Sequence, residues 1–198
     1  MNVAFINGSP RKNNGNTAKL LQLLEKRLPG CEISHGWDSL TGGASCDAIV
    51  IAFPLYVDGI PSNLLRELIS HEHGMPPGAR VYVLVNNGFY EGEQNAIAIS
   101  MVRHWCARAG LAWGQGAGVA GEILAHLPLS MAGAVGLGAK FSRVMESLAG
   151  HVLAGSGGED LYARPNFPRA LYMLCGDATF RLAGKRNGLS RREMRRGA

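Results

Sequence analysis

Apolar residues follow two different spacings along the chain, and the alternation between these spacings predicts the fold. Residues 2–7, 47–53 and 80–86 are apolar at nearly every position. Such short runs are typical of strands that are buried on both faces of a parallel sheet. The leucines between Leu20 and Leu28 recur instead at helical spacing, and Asn16 or Thr17 can cap the helix that they predict.

Weaker patterns complete the order of the elements. Residues 31–34 and 111–119 predict two more strands, and residues 62–70 and 95–109 predict two more helices. Strands that alternate with helices build a parallel sheet with helices on both faces. The sequence therefore predicts a doubly wound α/β fold with a five-stranded parallel sheet.

The remainder of the chain is less regular and predicts a helical extension of this sheet domain. Helices are expected near residues 131–153 and 169–182. We expect one domain over residues 1–183, of which about 120–183 form the helical extension, followed by a basic tail at 184–198.

The formal net charge of +5 belongs to the tail and not to the domain. The last fifteen residues contain six basic side chains and one acidic side chain, so the rest of the chain is neutral. A nucleic-acid-binding face needs a basic patch on the folded domain. The charge distribution therefore gives no support to a nucleic-acid partner.

The four cysteines are scattered and form no CxxC pair. This spacing excludes a typical zinc site and a dense disulfide framework, so we expect no metal and free thiols. The chain opens without a recognisable secretory signal, and its apolar runs fall short of the roughly 18 residues of a membrane span. We therefore expect a cytoplasmic protein with no membrane partner.

Three loops of unusual composition follow strands of the predicted sheet, at residues 8–16, 54–60 and 86–94. In open parallel sheets, ligands bind beyond the carboxyl ends of the strands at the point where the strand order reverses. We therefore predict that the three loops form one binding site.

The first loop combines glycines, hydrogen-bond donors and positive charge in front of a helix N-terminus, which suits a phosphate group. The side chains that can contact it are Ser9, Arg11, Lys12, Asn14, Asn16 and Thr17. A Walker loop would need a lysine before Thr17, and a cysteine-dependent phosphatase would need a cysteine in this turn. Because both are absent, the loop is predicted to hold a phosphate and not to cleave it.

A GxGxxG string occurs much later, at Gly116, Gly118 and Gly121. The dinucleotide fingerprint opens a helix and is followed about 20 residues later by an acidic side chain. This context is missing here, so we interpret the string as the glycine-rich end of a strand.

The first loop, INGSPRKNNGNTAKLL, resembles the GSPRxxGNT signature of the flavodoxin-like NAD(P)H-dependent FMN reductases, and among them the branch that includes the iron–sulfur flavoproteins. FPLYVDGIPSNLL resembles the second motif of that branch, and VYVLVN with NGFYEG occupies its third flavin-contacting place. The resemblance covers about residues 1–120. The cluster-binding cysteines are absent, and the first loop is one residue longer than the signature.

The resemblance implies FMN as the cofactor and assigns site residues to three parts of it. The FMN phosphate would be held by Ser9, Arg11, Asn16 and Thr17, with Asn14 as the alternative to Asn16 because of the longer loop. One side of the isoalloxazine would be lined by Pro54, Leu55, Tyr56 and Val57. The pyrimidine edge would be approached by Asn86, Asn87, Gly88 and Phe89.

The function implied is an FMN-dependent NAD(P)H oxidoreductase, in which hydride passes from NADPH or NADH through the flavin to a quinone, a flavin or a similar small acceptor. Such chemistry requires no catalytic side chain. A flavodoxin-type electron carrier is the alternative, which the neutral charge of the domain disfavours, and a flavin-free binding module is a third.

A homodimer is expected, in which Phe89 and Tyr90 help a second subunit to close the site.

Overall fold

Six parallel strands form one twisted sheet in the order β2-β1-β3-β4-β5-β6. The computed structural model describes residues 1–40, 45–121, 138–166 and 168–194. The strands are β1 (Asn2–Asn7), β2 (Glu32–His35), β3 (Ala48–Pro54), β4 (Arg80–Asn86), β5 (Ala112–Val119) and β6 (Leu161–Ala163). The chain moves from β1 outward to β2 and then returns to the other side of β1 with β3. The strand order therefore reverses between β1 and β3, which is where a doubly wound sheet opens a crevice.

Helices pack on both faces of the sheet within residues 1–165. The helices are α1 (Asn16–Glu25), α2 (Ser62–Ser70), α3 (Ala96–Arg108), α4 (Ala139–Leu153), α5 (Arg169–Arg186) and α6 (Arg191–Met194). Every element predicted for the first 119 residues is present, although α1 ends at Glu25, before the predicted end near Pro29. The doubly wound α/β architecture is confirmed.

Alternate residues of the central strands enter two separate cores, which explains why these strands read as continuous apolar runs. On one face, Phe5 belongs to a buried cluster with Leu24 of α1 and Met145 of α4. On the other face, Ile51 belongs to a cluster that includes Leu64 of α2 and side chains of α3. A parallel strand with helices on both sides has no polar face to show in its sequence.

The predicted number of five strands is wrong, because β6 adds a sixth strand within the region predicted to be helical. Leu161 to Ala163 pair in parallel with Ala117 to Val119 at the edge of the sheet. A strand of three residues has too few positions to show a period in the sequence, so only its pairing with β5 defines it.

Glycines alternate along β5, and the side chains of neighbouring elements occupy the space beside them. A Cβ placed on Gly114 would lie 2.5 Å from the Tyr82 ring, and one on Gly118 would lie 2.7 Å from the Tyr162 ring. Gly116 faces Ile99 in the same way. The GxGxxG string therefore begins inside a strand, as the sequence interpretation expected, and its glycines make room for side-chain packing.

The contacts divide the chain into two compact units, Met1–Pro165 and Asn166–Ala198. The first unit holds the whole sheet with α1 to α4. In the second unit, α5 continues without a break through residue 184, where the tail was predicted to begin. The short helix α6 starts with a capping box, since Ser190 Oγ accepts the Glu193 N–H at 3.3 Å and a Glu193 carboxylate oxygen accepts the Ser190 N–H at 2.8 Å.

Candidate functional site

The loops after β1, β3 and β4 meet at the crevice of the sheet and enclose an open pocket of about 490 Å³. The pocket is lined by Ser9, Arg11, Gly15, Asn16, Thr17, Pro54, Leu55, Tyr56, Asn86, Asn87 and Gly88. The structure therefore brings residues of all three predicted loops together around one pocket.

Hydrogen bonds within the first loop fix its shape before any ligand arrives. Asn7, the last residue of β1, accepts the Ser9 N–H at 3.0 Å through Oδ1 and donates from Nδ2 to the Lys12 carbonyl at 3.0 Å. The Lys12 N–H donates to the Ser9 carbonyl, also at 3.0 Å. Sequence reasoning missed the organising role of Asn7, because an asparagine at a strand end is read as the start of a turn and nothing more.

The first turn of α1 opens onto the pocket without a side-chain cap. Gly15 is the N-cap residue and, having no side chain, supplies no side-chain cap. A Cβ on Gly15 would lie 3.3 Å from Ser9 Oγ, so a glycine lets the loop close tightly over the helix end. The N-terminal N–H groups of a helix need acceptors and attract anions. Gly15 was not among the predicted site residues, although a glycine directly before a helix is a recognisable signal.

Thr17 joins this helix end to the end of a distant strand. Its hydroxyl donates to Asn86 Oδ1 at 2.8 Å, and the side chain of Thr17 is almost completely buried. Asn86 is the last residue of β4, and its carbonyl accepts the Leu55 N–H at 2.8 Å. The three loops are thus connected to one another through Asn86.

A tight turn follows Leu55 in the second loop. Tyr56 and Gly59 exchange two backbone hydrogen bonds of 3.0 and 3.1 Å. The two residues between them, Val57 and Asp58, have φ angles of 48° and 55°, as in a type I′ turn. Positive φ is tolerated by aspartate but is strained for a β-branched residue. The turn leaves Val57 fully exposed and Tyr56 partly exposed at the rim of the pocket.

The third loop is organised by Asn87. Its Oδ1 accepts the Phe89 N–H at 3.0 Å, its Nδ2 donates to the Glu91 carbonyl at 3.1 Å, and its own N–H donates to the Val119 carbonyl at 3.0 Å. Asn87 and Phe89 were predicted to approach the pyrimidine edge of the flavin, and in this structure their backbone N–H groups donate to acceptors within the protein. Asn86 and Gly88 are the other residues of this loop that line the pocket.

Lys12 and three of the residues that the resemblance assigns to the FMN site do not line the pocket. Asn14 lies in a single 3-10 turn, Lys12–Asn14, and its N–H donates to the Arg11 carbonyl at 3.2 Å. Val57 extends into solvent from the strained turn, and Phe89 is about half exposed. Of the two asparagines that compete for the phosphate, the structure brings Asn16 to the pocket.

The residues of the pocket fit a ligand that has an anionic end and a flat apolar part. One end holds the α1 N-terminus with Ser9 and the positive charge of Arg11. The lining also includes Pro54, Leu55 and Tyr56, which present apolar and aromatic surface. Because none of the lining side chains is acidic, the pocket does not repel a phosphate dianion.

Solved structures with a similar fold include oxidoreductases and flavodoxins. An NADH:FMN oxidoreductase in its apo form matches with a TM-score of 0.57 at 16% identity, over 86% of this chain and 97% of that chain. An oxidoreductase from Corynebacterium diphtheriae gives 0.57 at 10% identity, over 78% and 96% of the two chains. A flavodoxin from Streptococcus pneumonia TIGR4 gives 0.53 at 15% identity, over 78% and 99%.

At these identities the structural likeness establishes the fold, which is flavodoxin-like. No family model and no curated protein matches the chain. Among the described residues, no group of three or more His, Cys, Asp or Glu side chains is placed to hold a metal ion. Within the same ranges, none of the helices has the length and apolar character needed to cross a membrane.

Proposed function

We propose that the protein is an FMN-dependent NAD(P)H oxidoreductase that passes reducing equivalents to a small acceptor such as a quinone or a free flavin. The observation that carries this proposal is the composition of the pocket. The α1 N-terminus, Ser9 and Arg11 line this pocket together with an apolar set of residues that includes Tyr56. A phosphate and a flat aromatic ring in one molecule would satisfy both parts of this lining.

The residues of the pocket would hold and shield this cofactor. Ser9, Arg11 and the first turn of α1 would bind its phosphate, and Pro54, Leu55 and Tyr56 would exclude water from one side of its ring. When bound, FMN supplies the chemistry of accepting a hydride from nicotinamide and releasing electrons to an acceptor.

An electron carrier is the second candidate, favoured by the similarity of the fold to flavodoxins. A carrier exchanges electrons with protein partners and does not turn over nicotinamide rapidly. The neutral charge of the chain before its basic tail favours the enzyme.

Purified protein reconstituted with FMN separates the two candidates. We expect a visible flavin spectrum, and steady-state oxidation of NADPH or NADH that depends on an added quinone. Tight FMN binding without nicotinamide oxidation would support the carrier. Failure to bind FMN would overturn both candidates.

A homodimer is supported by apolar side chains of α2 and α3 that remain exposed. The exposed apolar side chains are those of Leu65 and Ile69 on α2, and of Ile97 and Met101 on α3. The sulfur of Met101 lies 4.0 Å from the place a Cβ would take on Gly59, so this surface continues into the second loop of the pocket. Burying it in a second copy would remove apolar area from water.

Light scattering should give a dimer mass at micromolar concentration, and Ile69→Asp should shift it towards the monomer. A wild-type monomer that retains flavin would contradict the dimer.

A further inference from the structure

The buried hydrogen bond between Thr17 and Asn86 changes what the threonine hydroxyl can do in this pocket. Thr17 Oγ1 donates its one hydrogen to Asn86 Oδ1 at 2.8 Å. The side chains belong to residues that are 1% and 8% exposed, so water competes little for this bond. The two residues are 69 positions apart, at the start of α1 and at the end of β4.

A threonine hydroxyl has one hydrogen to donate, and its oxygen can otherwise only accept. A phosphate dianion offers acceptors and no donor at neutral pH. While Thr17 donates to Asn86, its hydroxyl has no hydrogen left for a phosphate. The chemistry of this bond therefore separates Thr17 from Ser9 and Arg11, although all three line the pocket.

The consequence of the bond appears at the other end of the Asn86 side chain. With Oδ1 accepting from Thr17, the carboxamide is held in one orientation. Its Nδ2 makes no hydrogen bond to another described residue. Nδ2 is also absent from the set of fully buried side-chain atoms without a hydrogen-bond partner, so it remains accessible. Asn86 lines the pocket, so the amide presents a donor towards the ligand.

We propose that Thr17 is a positioning residue that orients Asn86, and that the Asn86 amide recognises a part of the flavin other than its phosphate. This inference rests on the proposed function and adds a division of labour to it. Ser9, Arg11 and the α1 backbone hold the phosphate. Thr17 acts through Asn86 on the ribityl chain and ring, which riboflavin and FMN have in common.

A comparison of two ligands tests this division, because riboflavin lacks only the phosphate. Thr17→Val removes the hydroxyl and keeps the branched shape. We expect it to weaken FMN and riboflavin by the same factor, about threefold to tenfold, as measured by quenching of flavin fluorescence. Thr17→Ser, which keeps the hydroxyl, should restore both affinities.

Asn86→Ala provides a second route to the same result. This variant should lose affinity for FMN and for riboflavin by the same factor. Adding Thr17→Val to it should lower either affinity little further, because the partner of the Thr17 hydroxyl is already gone. Thermal unfolding without flavin establishes that each variant is folded. The Asn86 variants keep the proposal testable if Thr17→Val does not fold.

The possible outcomes separate this inference from the proposed function. Wild-type protein that binds neither flavin would overturn both. If the wild type binds FMN but Thr17→Val weakens FMN alone, the hydroxyl serves the phosphate and only this inference fails. Full additivity of Thr17→Val and Asn86→Ala would also overturn it.

Discussion

Arg11 and Lys12 are neighbouring cations in the first loop, and only Arg11 lines the pocket. Replacing each with alanine removes the same charge from nearly the same place. The guanidinium of Arg11 has no hydrogen-bond or ion-pair partner among the described residues, so its truncation breaks no existing interaction of the protein. Arg11→Ala therefore measures the contact with the ligand, and Lys12→Ala measures the general effect of lost charge.

The expected size of the effect follows from the exposure of this loop. A hydrogen bond between a charged donor and a phosphate contributes about 1.5–3 kcal/mol. Since 1.4 kcal/mol corresponds to a factor of ten, Arg11→Ala should weaken FMN about 10- to 100-fold. Lys12 is exposed and lies outside the pocket lining, so Lys12→Ala should change the affinity by less than about threefold.

Fluorescence titration with FMN and with riboflavin, at low and at high salt, provides the assay. Riboflavin should bind both variants as it binds the wild type, because it has no phosphate. The loss in Arg11→Ala should shrink as salt rises, since about 1 M salt reduces the screening length to about 3 Å. The reasoning is refuted if the two variants behave alike, or if riboflavin loses as much affinity as FMN.

Three further predictions concern stability and the tail. Val57→Asn should raise the melting temperature by about 2–4 °C, because it relieves about 1 kcal/mol of backbone strain at a fully exposed position; an unchanged or lower value would show that the turn is not strained. Gly8→Ala should lower the free energy of unfolding by about 1–3 kcal/mol, because the new Cβ would lie 2.5 Å from the buried Leu64. The control is Gly150→Ala, whose Cβ would enter open space on α4. In the same denaturant series this control should be neutral or stabilising. Deleting residues 189–198 should leave the FMN content of the purified protein unchanged, and a protein that loses its flavin would assign the tail a role in the site.

Local pattern was sufficient to predict most of the fold, because its central strands are buried on both faces. Residues 48–53 and 81–85 are apolar without interruption, a pattern typical of strands that are buried on both faces of a parallel sheet. The edge strand β6 escaped prediction because its three residues gain their conformation from pairing with β5.

The site was predicted where its residues are close in sequence and missed where they are distant. The loop from Ser9 to Thr17 carries its own signal of glycines and donors before a helix. The contact of Thr17 with Asn86 depends on how α1 crosses the sheet, which no local pattern records. Val57 was assigned to the pocket by its position in a motif, but two positive φ angles turn it into solvent.

The alternating glycines of β5 have a consequence for how this sequence can diverge. The ring of Tyr82 fills the space that a side chain at residue 114 would need, and Tyr162 does the same at residue 118. A side chain gained at Gly114 is therefore compatible with the fold only when volume is lost at Tyr82, and the same holds for Gly118 and Tyr162. Homologous sequences should consequently show paired replacements: a larger residue at 114 or 118 should occur together with a smaller residue at 82 or 162, respectively. The two positions of each pair should not vary independently.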